Sequence, residues 1–157
     1  MTSEIDDETA TYVLESQKHF EDLRQVAAQL AGLLVLAAAG AGSAMPDHPM
    51  LDAAEQLYEE AVEGVRRARA TVRARRHHHH VVRGAAEIGR ALSIAREHPG
   101  QLDSGRAIDR ILTPLRTGYV HLQQAADALP GFELIAFEQG CCALHVQALQ
   151  DEVRTPR

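Results

Sequence analysis

Apolar positions recur along most of this chain at alternating spacings of three and four residues, the pattern of helices that bury one stripe. Val13, Phe20, Leu23, Ala27, Leu30, Leu34 and Ala37 form the first stripe, which predicts a helix over about Thr9 to Ala39. Gly40-Ala41-Gly42-Ser43 stops it, and Pro46-Asp47-His48-Pro49 opens the next helix with Asp47 as the expected cap. Val81, Ala85, Ile88, Leu92 and Ala95 form a later stripe that ends at His98-Pro99-Gly100. Asp103 or Ser104 can cap the last long element, whose stripe is Ile108, Ile111, Leu115, Tyr119, Leu122, Ala126 and Leu129. Pro114 lies inside it and either kinks the helix or opens a fresh one capped by Thr113.

Between the first and third stripes the charges are ordered. Asp52, Glu55, Glu59, Glu60 and Glu63 precede Arg66, Arg67, Arg69, Arg73, Arg75 and Arg76, which complements a helix dipole whose negative end lies near Arg76. One helix from Asp47 to His98 would span ~78 Å, too long for a compact domain of this size. A break between about Ala74 and His78 is therefore expected. Four stripes with short connections predict an all-α fold, an antiparallel four-helix bundle with a C-terminal extended segment over Phe132 to Glu138 and a short helix from Gly140 to about Val153. Residues 1–157 read as a single domain with an acidic tail over about 1–8 and an appendage over about 130–157.

Composition refines this picture. The chain is 45% hydrophobic, with much of that from alanine and no tryptophan, which favours close-packed helices over sheets. Lys18 is the single lysine against fifteen arginines, a bias of GC-rich bacterial genomes. Val26 to Gly42 is apolar apart from Gln29, but it falls short of the ~20 residues of a membrane span and lacks basic flanks, so it reads as a buried core helix. No signal peptide precedes the acidic first residues, and a cytoplasmic location is expected. Cys141 and Cys142 are adjacent, with Cα atoms ~3.8 Å apart, too close for an ordinary disulfide.

The net charge of −6 conceals seven arginines and no acid from Arg66 to Arg83. Arg66, Arg69, Arg73 and Arg76 recur at i, i+3, i+7 and i+10, giving one basic face for an acidic partner or for the N-terminus of a second copy in a homodimer. No aromatic residues interleave with it, so it lacks the stacking groups of a single-stranded nucleic-acid site, and reading of a phosphate backbone is the less favoured use of this face. No Ser-His-Asp set, phosphate loop or carboxylate pair supports a conventional hydrolase or NTP-dependent enzyme. A non-catalytic interaction module is the expectation.

The candidate chemistry lies in His77 to His80 and the following helix. On a helical wheel His80 falls roughly 120° from the apolar centre, with Arg83, Gly84 and Glu87 within about 60° of it. His80 is thus expected to be exposed, with a cation one turn on and Gly84 as a gap through which a partner could approach the imidazole. The order His80, Val82, Arg83, Gly84, continued by Ala86, Ile88 and Gly89, resembles the histidine phosphotransfer domains of two-component relays. That resemblance covers about ten residues. It implies that His80 accepts a phosphoryl group from an aspartyl phosphate on a receiver domain and that Arg83 balances its charge. The turn that usually precedes the family's histidine helix is here occupied by arginines and three further histidines.

Metal binding is the alternative. His77 and His80 at i, i+3, with Cys141, Cys142 and His145, offer imidazoles and thiolates suited to Zn²⁺ or Cu(I). His121 flanks its stripe and is read as half-buried. Phosphotransfer needs only His80, so replacing His77 to His79 should be tolerated, whereas a chelating cluster should lose affinity stepwise. Cys141 or Cys142 with His145 can also be drawn as a nucleophilic pair, but Cys142, Val146, Leu149 and Val153 read more simply as a packing stripe.

Overall fold

A computed structural model describes residues 5–41, 47–97 and 105–132. Among them there are four α-helices and no strand: α1 (Asp7–Leu36), α2 (Pro49–Arg67), α3 (Arg75–Glu97) and α4 (Gly105–Ala128). The all-α expectation holds. The extended segment and short helix expected after Phe132 lie outside the described residues.

α1, α3 and α4 form over the segments whose apolar stripes predict them. Asp6 caps α1 by accepting from the Thr9 amide at 2.8 Å, and every residue of the first stripe is buried. The chain leaves α1 through a wider turn at Ala37–Ala41, where Gly40 takes φ 98°, a left-handed conformation that costs glycine little. The apolar segment after Val26 contributes Val26, Ala27, Leu30, Ala31, Leu33 and Leu34 to the core. By length and composition Asp7–Gly40 could also cross a membrane. Its packed face equally suits a core helix.

Two boundaries differ from expectation. His48, not Asp47, caps α2, its ring Nδ1 accepting from the Met50 amide at 3.1 Å. The break between α2 and α3 also comes earlier, over residues 68–74 rather than between Ala74 and His78. Its cause is Thr71. The Thr71 hydroxyl accepts from the Ala74 amide at 3.2 Å and meets the Thr9 hydroxyl at 2.8 Å. A side chain that bonds its own backbone competes with the helical ladder, and here α1 supplies the second partner. Arg69 and Arg73 consequently lie outside any helix, and the continuous basic face expected from Arg66 to Arg76 is interrupted.

Pro114 sits within α4 and starts no new helix. Thr113 does not cap. Its hydroxyl donates to the Asp109 carbonyl at 2.9 Å.

The largest helix contact joins α3 to α4, followed by that of α1 with α2. Side-chain ties cross the remaining gaps. Arg96 of α3 bonds Asp52 at 2.6 Å and Glu55 at 2.7 Å on α2, and the Tyr58 hydroxyl donates to the Ala85 carbonyl at 3.0 Å. These two carboxylates raise the Arg96 pKa, Glu55 acting more strongly than Asp52. The core runs through all four helices, from Phe20, Leu23 and Leu30 to Leu51, Ile88, Ile111, Leu115 and Leu122.

Candidate functional site

The histidine run begins α3, and the tertiary contacts divide it. His77 is fully buried. Its ring stacks on Phe132 at 4.0 Å between centroids and lies near Phe20 at 6.1 Å, with Tyr12 edge-on at 5.6 Å. Its Nδ1 shares a hydrogen bond with the Tyr12 hydroxyl at 2.9 Å, and His78 Nδ1 reaches the same hydroxyl at 3.3 Å. Burial, then the neighbouring His78 and His80, pushes the His77 pKa down to about 4, so it is neutral at pH 7. Burial also lowers His78.

His80, one turn on, faces α4. Its ring stacks on His121 with centroids 5.6 Å apart, and the two Nδ1 atoms lie 3.3 Å apart in a hydrogen bond. Its pKa is lowered, first by desolvation and then by His121, His79 and Arg76. His79 and Arg83 are exposed on the adjoining surface.

Two expectations change. His80 is half-buried rather than fully exposed. Gly84 is buried and is no gap for a partner: a Cβ there would stand 3.1 Å from the Gly118 carbonyl oxygen and 3.1 Å from Leu122. Its missing side chain lets α3 approach α4 closely, with Gly118 playing the reciprocal part. Among the described residues no group of three or more His, Cys, Asp or Glu side chains is placed to hold a metal. Cys141, Cys142 and His145 lie outside the described residues. Because His77 is part of the core, the histidines whose replacement tests phosphotransfer cleanly are His78 and His79.

The sequence reading missed the aromatic surround of His77. Tyr12 and Phe20 lie eight residues apart on one face of α1, in a chain with three tyrosines and three phenylalanines. That spacing was a signal. Phe132, beyond the last helix, carried none.

A cleft of about 350 Å³ between α2 and α3 has Glu55, Tyr58, Gly89, Leu92, Ser93 and Arg96 among its lining residues. Its arginine is engaged by Asp52 and Glu55, which makes it a tie between helices. No family model, curated protein or solved structure matches this chain.

Proposed function

We propose that the chain is a cytoplasmic antiparallel four-helix bundle acting as a phosphotransfer-like interaction module, with His80 as phospho-acceptor and a receiver domain as partner. The antiparallel arrangement is supported by contacts whose sequence order reverses: His80 with His121 and Gly84 with Gly118 across α3 and α4, and Arg96 with Asp52 and Tyr58 with Ala85 across α2 and α3.

The observation that carries the functional reading is the His80–His121 pair. In one tautomer His80 donates its Nδ1 proton to His121 Nδ1, which leaves the His80 Nε2 lone pair free. The lowered pKa keeps the ring neutral, as a nucleophile requires. The Nε2 lone pair attacks phosphorus, the bond from phosphorus to the aspartyl oxygen breaks, and the aspartate leaves as a carboxylate. The Nδ1 proton passes to His121, so the phosphoimidazole carries no extra positive charge. Arg83, exposed one turn on, and Arg76 offer cations to the transferred group.

The test is transfer of labelled phosphate from a panel of aspartyl-phosphorylated receiver domains. Acid-labile label should appear on the wild type, vanish in His80→Gln and persist in His78→Gln and His79→Gln. His121→Phe, which keeps a stacked ring but cannot accept the proton, should slow transfer about a hundredfold, the low end for a positioned proton acceptor. Absence of label from every receiver refutes the assignment. Zinc or copper retained by protein prepared without metal resin, and lost in His80→Gln, would reassign the pair to metal binding.

A further inference from the structure

A second polar cluster lies apart from the His80–His121 pair, at the contact of α1, α2 and α3. A chamber of about 10 Å³ has Tyr12, Ser16, His19, Val65, His77 and His78 in its walls. Three polar atoms of these residues, Ser16 Oγ, His19 Nδ1 and His77 Nε2, are buried without a hydrogen-bond partner among the described residues. Ser16 is 7% exposed and His77 is 0% exposed. Burial raises the Tyr12 pKa and a weak hydrogen-bond-like contact with the Ser16 hydroxyl lowers it, but that contact is too long or too bent to satisfy Ser16 Oγ by hydrogen-bonding geometry. Leaving one such buried group unpaired costs on the order of 1–3 kcal/mol, so three around one chamber call for a common partner.

We propose that this chamber is a built site for one internal water molecule, held by Ser16 Oγ, His19 Nδ1 and His77 Nε2. Size and chemistry agree. A buried water needs at least ~10–15 Å³ by this measure and typically makes about three hydrogen bonds to otherwise unpaired groups. Because water both donates and accepts, it satisfies His77 Nε2 whichever way the proton on the Tyr12–His77 bond lies. A metal ion would demand a lone pair from both rings. With the water bound, a continuous chain runs from His78 through Tyr12, His77 and the water to His19 and Ser16, joining the first turn of α3 to α1. Gly64, beside the lining residue Val65, leaves room for the His19 ring, since a Cβ at that position would overlap the imidazole. This inference is independent of the phosphotransfer reading.

Magnetic relaxation dispersion of water nuclei counts long-lived internal waters in the full chain, and water–protein nuclear Overhauser effects locate them. The wild type should show water contacts to Ser16 and His77. Ser16→Val, which replaces the hydroxyl by methyl groups, should lose one long-lived water per chain. Gly64→Ala, by displacing His19, should shorten its residence at least tenfold. Equal counts in wild type and a folded Ser16→Val variant would overturn the site. If that variant does not fold, absence of water contacts to Ser16 and His77 in the wild type overturns it equally. A zinc or copper ion bound to His19 and His77 in protein prepared without metal resin would also overturn it.

Discussion

His77 and His80 are separated by one helical turn and carry the same side chain, yet the fold gives them opposite surroundings. His77 enters the core against Tyr12, Phe20 and Phe132, and its outer bond is to a phenol. His80 rests at the edge of the α3–α4 contact, and its partner is another imidazole. The first ring is fixed by packing, where a titratable group serves structure. The second is held on one side and half-open on the other, where a titratable group can do chemistry. Two residues that look equivalent as candidate ligands in sequence are therefore separable by experiment.

Truncation separates them most strongly. His77→Ala removes a stacked ring from the core and the nearer of the two imidazole partners of the Tyr12 hydroxyl, so it should destabilise the fold by about 3 kcal/mol. His80→Ala should stay within about 1 kcal/mol. Denaturant unfolding of both variants gives the comparison, and equal losses would dissolve it.

Acid sharpens it next. The His77 pKa falls from 6.5 in the unfolded chain to about 4 in the fold. The unfolded state therefore binds the proton more readily. The stability tied to neutral His77 is fully present above pH 6.5 and is lost as pH falls toward 4. At roughly 1.4 kcal/mol per pKa unit it amounts to as much as ~3 kcal/mol. His77→Phe should flatten the pH profile of the melting temperature in this window. A slope unchanged by the substitution would place the titrating group elsewhere.

Gly84 probes the other region. Gly84→Leu should cost about 2 kcal/mol by forcing α3 from α4. Gly84→Ala should be near neutral, because about 1 kcal/mol of helix propensity offsets a Cβ crowded at 3.1 Å. Were Gly84 an exposed docking gap, both substitutions would leave stability unchanged or raise it. The last effect lies at the start of α1. Asp6→Ala should lower the melting temperature through loss of the α1 cap, which thermal unfolding of the variant beside the wild type measures.

Much of this fold was legible in order along the chain. The first stripe, from Val13 to Ala37, is buried residue by residue, and so is that of α3 from Val81 to Ala95. The stripe of α4 was read one position off at several points: Ile108, Tyr119 and Ala126 are half-buried, whereas Gly118 and Ala125 are buried. Small residues carry little weight in a hydrophobic pattern, yet they mark where helices come closest. The same blind spot turned Gly84 into a surface feature. The α2–α3 break was misplaced because charge order stood in for a missing glycine or proline, while Thr71, whose hydroxyl bonds Thr9 sixty-two residues away, determined it.

Periodicity and composition by themselves determined that this chain forms helices and roughly where each lies, because helix formation follows from spacings of three and four residues and from alanine's low conformational cost. The candidate site was decided by contacts between positions distant in sequence. Tyr12 and Phe132 take His77 into the core, and His121 holds His80 at the surface. A wheel drawn for one helix has no knowledge of its neighbours. What a histidine does depends on which neighbour desolvates it and which nitrogen that neighbour engages.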